Sequence, residues 1–261
     1  MGKKHILFFD VDHTLYNPNT KSVPQSSIDA LARVKARGDT RLVIATGRAY
    51  YMLEVIDAIK PFFDAFITIN GQIIFADGTI IHDDPMDETL VQKAKTIFER
   101  EAMTYGFIGS QTQAVNQKSA YVKAMFEEQN LPYPVEDKAF DKHHDVYQMW
   151  AFADAPHLSI IKSHFDNRVV VPWLTDGFDI IAPGKDKREG VMRILKHYGV
   201  DAHQAVCFGD GANDAAMLEA MPVSVAMGNA SRDVKARATF VTDTFSNDGI
   251  AKALKKLGYI K

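Results

Sequence analysis

With Cys207 as its single cysteine, the chain cannot close an intramolecular disulfide. Its fold must be held by packing. Cys207 sits in the apolar run Ala205-Val206-Cys207-Phe208, which predicts a buried, inert thiol. Long apolar runs are missing too. The N-terminal run Ile6-Leu7-Phe8-Phe9 is cut by Asp10 and Asp12, too early for a secretion-signal core, and no stretch approaches the roughly 20 apolar residues of a membrane span. A cytoplasmic protein is expected. Charge of one sign is equally scarce: 30 basic against 33 acidic residues leave a net charge of -3, which offers no general attraction to nucleic acid or to anionic lipid. The expected partner is a small molecule. No heptad pattern argues for self-association, so a monomer is expected, and no repeat or low-complexity tract suggests an array. What the chain has is 46% apolar and 24% charged content over 261 residues, enough for a sizeable core and a length that suits two domains.

The apolar pattern alternates two kinds of segment. His5 to Phe9 reads as a strand covered on both faces, and Ile28, Leu31, Ala32 and Val34 have helical spacing between Ser26-Ser27 and Gly38. Arg41 to Ala45 is a second buried strand, followed by Thr46-Gly47-Arg48 and a helix-like segment to Lys60, closed by Pro61. Phe66 to Ile69 predicts a third strand, and Gln72 to His82 a hairpin turning at Asp77-Gly78. From Asp83 to Pro183 the pattern changes to amphipathic segments, Glu88 to Glu101 and Ser119 to Gln129, mixed with short strand-like runs such as Arg168 to Val171. The first pattern then returns, with a helix from Lys187 to His197, a strand Ala205 to Phe208, a helix Ala212 to Ala220, a strand Val223 to Ala226 and a final helix. This predicts an α/β protein: a Rossmann-like parallel sheet with helices on both faces, formed by 1–82 and 184–261, and an α+β domain inserted at 83–183. Ligands of such sheets bind at the carboxyl ends of strands, where Asp10, Thr46, Asn70 and Asp210 are expected to converge.

Phe8-Phe9-Asp10-Val11-Asp12 sets two carboxylates two residues apart, and strand alternation points both to one side. Such closeness is costly without a cation, and Mg²⁺, which prefers carboxylate oxygens and water, relieves it. Gly209-Asp210-Gly211-Ala212-Asn213-Asp214 repeats the design: glycines for close approach, then oxygen-bearing side chains that can ligate a metal or orient its ligands. Thr46-Gly47-Arg48 offers a hydroxyl and backbone amides at a helix start, a natural phosphate cradle. Lys187 can neutralise phosphate and steady an aspartate nucleophile. Singly, each signal has an ordinary structural reading, as an acidic turn, a capped helix or a solvated lysine.

In order, Asp-x-Asp-x-Thr, Thr-Gly-Arg, Lys and Gly-Asp-x-x-Asn-Asp resemble the haloacid dehalogenase superfamily of phosphotransferases. The chain is most similar to the Cof-like sugar-phosphate phosphatases, whose cap is inserted between the second and third motifs. Asn70-Gly71 and Ala226-Met227-Gly228-Asn229-Ala230 also resemble stretches of that group. The resemblance implies Mg²⁺-dependent hydrolysis of a small phosphorylated metabolite, with Asp10 as nucleophile forming an aspartyl-phosphate and Asp12 as acid/base. It implies a metal held by Asp10, Asp12 (through its backbone carbonyl) and Asp210, to which the motif adds Asn213 and Asp214 as metal residues that ligate it directly or through water, or orient its ligands. Thr46, Gly47, Arg48, Asn70, Lys187 and Asn213 are the expected phosphate and substrate contacts. A phosphomutase needs the same groups but usually carries its cap between the first and second motifs. A non-catalytic phosphometabolite sensor is the reading from another class, and it sits badly with Asp10 and Asp12 both being present.

One residue departs from the family pattern: His13 stands where glycine is usual. If the position needs positive φ, His tolerates it better than most residues. The expectation is an accommodated surface histidine. His143-His144 lack the companions of a metal site and are expected at the surface. Tyr147, Trp150, Phe152 and Trp173 are expected in the core of the inserted domain rather than in a pocket.

Overall fold

The computed structural model describes residues 3–128, 130–166, 169–172 and 176–261. Its strands are β1 (His5–Phe9), β2 (Thr40–Ala45), β3 (Ala65–Thr68), β4 (Ile73–Ala76), β5 (Thr79–Asp83), β6 (Tyr105–Ile108), β7 (Gln113–Val115), β8 (Val135–Glu136), β9 (Gln148–Phe152), β10 (Val170–Pro172), β11 (Gly177–Ile180), β12 (Ala205–Gly209), β13 (Ser224–Ala226) and β14 (Phe240–Val241). Its α-helices are α1 (Gln25–Ala36), α2 (Glu88–Arg100), α3 (Ala120–Glu128), α4 (Ala155–His164), α5 (Lys187–Tyr198), α6 (Ala215–Ala220), α7 (Arg232–Lys235) and α8 (Gly249–Lys256). They form two compact units, one of Met1–Arg48, Met52–Asp83 and Asp186–Lys261, the other of Ala49–Tyr51 and Asp84–Lys185.

The first unit is built on an eight-stranded sheet of order β14-β13-β12-β1-β2-β3-β4-β5. Its first six strands are parallel, and β4 and β5 add an antiparallel hairpin at one edge. The apolar runs explain the arrangement. Ile6 to Phe9 and Leu42 to Ala45 are fully buried, which requires cover on both faces of the sheet. Ile6, Phe8, Val43 and Cys207 pack with Val191, Ile194 and Leu195 of α5 and with Met217 and Leu218 of α6. Alternate side chains such as Leu7, Phe9, Leu42 and Ile44 point to the other face. The chain runs outward from β1 to β3 on one side and from β12 to β14 on the other, so the strand order reverses at β1. That reversal opens a crevice at the strands' carboxyl ends.

The second unit is a six-stranded sheet of order β10-β11-β9-β6-β7-β8, antiparallel except where β7 meets β8. Val91, Ala94, Ile97 and Phe98 of α2 and Ile161 of α4 pack on Tyr105, Phe107, Met149, Ala151 and Phe178. Asp87 caps α2 by accepting the Thr89 N–H at 2.8 Å.

Several segments differ from the sequence expectation. The stretch after Arg48 forms 3₁₀ turns over Tyr50–Ile56 and Lys60–Phe62 instead of an α-helix, and Pro61 sits inside the second turn. The third strand stops at Thr68, and the next residue, Ile69, takes φ +48°. The segment Ala212 to Ala220 begins as a 3₁₀ turn and becomes α-helical at Ala215. Arg168, at the start of one predicted strand, and Trp173 lie outside the described residues.

Candidate active site

Asp10, Thr46 and Asp210 stand one residue past the ends of β1, β2 and β12, and Asn70 two past β3. These four strands are neighbours, so their ends converge at the strand-order reversal. Main-chain bonds lock the loops: the Asp10 N–H donates to the Phe208 carbonyl at 3.0 Å and the Thr46 N–H to that of Ile67 at 2.9 Å.

Lys187 opens α5 and is fully buried. Its Nζ donates to Asp10 Oδ1 at 2.6 Å and to Asp214 Oδ1 at 2.7 Å. Burial alone disfavours an ammonium, but the two carboxylates outweigh it and raise the Lys187 pKa. Asp214 Oδ2 accepts the N–H groups of Asp210 and Gly211, both at 2.9 Å. Glycine is required beside it, because a Cβ on Gly209 would lie 2.5 Å from the Asp214 carboxyl carbon. Asp10 keeps Oδ2 clear of hydrogen-bond donors among the described residues.

The cluster holds more negative charge than one lysine balances. Burial raises the Asp10 carboxyl well above the ordinary carboxylate range, Asp214 raises it further, and Lys187 opposes both. Asp210 is pushed up to about 7, chiefly by burial and then by Asp214. One carboxylate oxygen from each of Asp10, Asp210 and Asp214 lies within 4.8 Å of the others. Hard oxygen donors and excess negative charge fit a hard divalent cation, so this is an acidic cluster suited to a metal.

Asp12 is placed by a turn rather than by strand alternation. Strand alternation was to put it beside Asp10, but β1 ends at Phe9, and Val11 is in a turn whose carbonyl accepts the N–H groups of Leu15 and Tyr16. The Asp12 carboxylate is not part of the acidic cluster. It is held in a two-pronged bond by Arg48, Nε to Oδ2 and a terminal NH₂ to Oδ1, both at 2.8 Å. For Asp10 it is the weakest of the carboxylate influences, after Asp214 and Asp210. Arg48, expected on phosphate, is 6% exposed and spends a third donor on the Met52 carbonyl at 3.3 Å.

Thr46 is buried, and its hydroxyl oxygen accepts the Arg48 N–H at 3.0 Å. Asn70 lies in a run of three positive φ values, Ile69 at +48°, Asn70 at +54° and Gly71 at +102°. A β-branched residue rarely tolerates that conformation. Bonds from the Ile69 N–H to the Arg48 carbonyl and from the Asn70 N–H to the Thr46 carbonyl, each 3.0 Å, hold the loop in it. The Asn70 amide oxygen accepts from Asn213 Nδ2 at 3.1 Å, beside Gly47. His13 is exposed, has φ +59° and lies 5.6 Å from the Phe245 ring, centroid to centroid. In the second unit His143 and His144 are exposed, Tyr147 and Trp150 are buried, and Phe152 is half-buried.

The family model of haloacid dehalogenase-like hydrolases matches residues 7–254. The chain belongs to that family. Among curated relatives, this haloacid dehalogenase-like hydrolase is 28% identical to the putative phosphatase YkrA of Bacillus subtilis, over 98% of each chain. It is 30% identical to the pyridoxal phosphate phosphatase YbhA of Escherichia coli, over 95% of this chain and 96% of that one. The solved structure of the subclass IIB sugar phosphatase BT4131 superposes with a TM-score of 0.90 at 30% identity, covering 98% of this chain and 100% of that one. The protein is thus a Cof-like phosphatase of this family. Among its described residues no helix is long and apolar enough to cross a membrane.

Thr14 and Asn229 were not among the candidate residues, yet each donates to Asp210, at 3.1 and 2.9 Å. Thr14 had a signal, as the last residue of Asp-x-Asp-x-Thr. Asn229 had only its place in Gly-Asn-Ala, which carries no chemistry by itself.

Proposed function

We propose that this phosphatase hydrolyses a sugar phosphate, with Mg²⁺ as its cation and Asp10 as nucleophile. The carrying observation is the Lys187 ammonium, which fixes Asp10 through Oδ1 and leaves Oδ2 to react. Asp10 and Asp210 and the Asp12 main-chain carbonyl are the groups to hold Mg²⁺, with Asp214 orienting them and Asn213 close by. Bound there, the metal offsets the negative charge of the carboxylates and of the phosphoryl group.

Asp10 Oδ2 forms a bond to phosphorus as the bond to the sugar oxygen breaks, and Asp12 gives that oxygen its proton. Asp12, now ionised, takes a proton from water as the water oxygen attacks the aspartyl-phosphate; phosphate leaves and Asp10 is restored. The grip of Arg48 suits the ionised half of this cycle, so one prong is released when Asp12 carries the proton. Lys187, the Thr46 hydroxyl and the Gly47 amide hold the phosphoryl oxygens, and Asn70 and Asn213 border them. The sugar-phosphate assignment rests on the sugar phosphatase similar to this chain along its whole length. The unit of residues 84–185 selects the substrate, and the enzyme works as a cytoplasmic monomer.

The test is phosphate release from a panel of sugar phosphates and pyridoxal phosphate, with Mg²⁺ or EDTA, for wild type and Asp10→Asn. Magnesium-dependent turnover of sugar phosphates, abolished by Asp10→Asn, is expected. Turnover that survives EDTA or the substitution overturns the mechanism, and preference for pyridoxal phosphate overturns the substrate class.

A further inference from the structure

The Gly228-Asn229-Ala230 turn after β13 carries no charge and no nucleophile, yet its asparagine joins three separate segments of the site. Asn229 Nδ2 donates to Asp210 Oδ2 at 2.9 Å and to the His13 carbonyl at 3.0 Å, while its Oδ1 accepts the Phe245 N–H at 3.3 Å. The other oxygen of the same carboxylate, Asp210 Oδ1, accepts from the Thr14 hydroxyl at 3.1 Å. Among the described residues each Asp210 oxygen therefore has one donor, and the carboxylate cannot rotate without losing both. Thr14 follows His13 directly, so the amide that grips Asp210 also anchors the loop presenting the second donor. The turn is itself tied down, because Lys235 Nζ donates to the Gly228 carbonyl at 2.7 Å and the Gly228 N–H to the Asp243 carbonyl at 3.0 Å.

The same anchor bears on His13. Without glycine's freedom, a residue at φ +59° keeps that conformation only where its surroundings impose it. Here the Asn229 amide holds the His13 carbonyl, the His13 N–H donates to the Tyr16 carbonyl at 3.0 Å, and the Phe245 ring stands beside the imidazole.

We infer that Asn229 is a positioning residue for the metal-side carboxylate Asp210, acting directly through Oδ2 and indirectly through the His13-Thr14 loop. The inference rests on the proposed metal reading of the acidic cluster. Outer contacts of this kind are worth about 10–100-fold in metal affinity.

Binding of Mn²⁺ alone, measured by the electron paramagnetic resonance signal of the free ion, tests it on the full chain without substrate. Wild type and Asp210→Asn come first: no wild-type binding, or binding that Asp210→Asn leaves unchanged, overturns the metal reading and this inference with it. Asn229→Ala and the milder Asn229→Ser follow, each shown to be folded by circular dichroism at the temperature used. A Kd raised about tenfold or more in a folded variant supports the positioning role. A Kd within about twofold of wild type, with only the melting temperature lowered, reduces Asn229 to a loop brace and overturns it. If Asn229→Ala does not fold, Asn229→Ser decides by the same readings.

Discussion

Arg48 grips both carboxylate oxygens of Asp12, with two hydrogen bonds of 2.8 Å each, from a position 6% exposed to solvent. A two-pronged guanidinium bond fixes direction as well as charge, and lysine cannot reproduce it. Arg48→Lys is therefore expected to behave much like Arg48→Ala, with kcat lowered by about 10²-fold through a misplaced acid/base. The loss is expected to shrink with p-nitrophenyl phosphate, whose leaving group needs little protonation. Equal losses on both substrates would show that Arg48 acts on phosphate rather than through Asp12.

Lys187 is the one basic side chain hydrogen-bonded to Asp10 and Asp214 among the described residues. Removing it strands two buried carboxylates, so Lys187→Met is expected to destabilise the fold by about 3–5 kcal/mol in urea denaturation. Adding Asp214→Asn to that variant is expected to restore part of the stability and none of the activity. A single variant as stable as wild type would contradict this account.

Gly190 lies one turn beyond Lys187 on α5, and a Cβ there would meet Ile67 Cγ2 at 2.4 Å and Gly71 Cα at 3.3 Å. Gly190→Ala is expected to push α5 off the sheet at a cost of about 1–3 kcal/mol and to draw Lys187 away from Asp10. Ile67→Ala in the same chain opens space, and the melting temperature of the double variant is expected to exceed that of Gly190→Ala alone. A double variant no more stable than the single one would place the strain elsewhere.

Burial, and then Asp214, push the Asp210 carboxyl up to about 7, against 3.8 for an ordinary aspartate. Between about pH 4 and 7 the unfolded chain releases this proton while the folded chain keeps it. The metal-free fold therefore loses stability across that window as pH rises, and the loss levels off above it. A bound divalent cation relieves the penalty, while protons compete with it at low pH. Mg²⁺ is expected to raise the melting temperature more at pH 8 than at pH 5. An equal rise at both would mean that the cation binds away from Asp210.

The sequence by itself determined the α/β core. Runs such as Ile6 to Phe9 and Leu42 to Ala45 are apolar at every position and can be buried only between two layers, and Asp77-Gly78, with φ +49° and +81°, could only turn a hairpin. It also marked Asp10, Lys187, Asp210 and Asp214 as a set, because their motifs follow one another in the order of a known family, although each alone reads as an acidic turn, a capped helix or a solvated lysine. Local pattern misled where backbone geometry is set from a distance: Ile69 reads as the end of a strand, yet bonds with Arg48 and Thr46 hold the Ile69-Asn70 loop at positive φ. Only the tertiary structure decided which group serves which. Asp12 and Arg48 are 36 residues apart, and Asp210 and Asn229 are 19 apart. Spacing along a chain fixes who can share a strand or a helix face, but a hydrogen bond across elements depends on where several loops meet, and that is set by packing of the whole sheet.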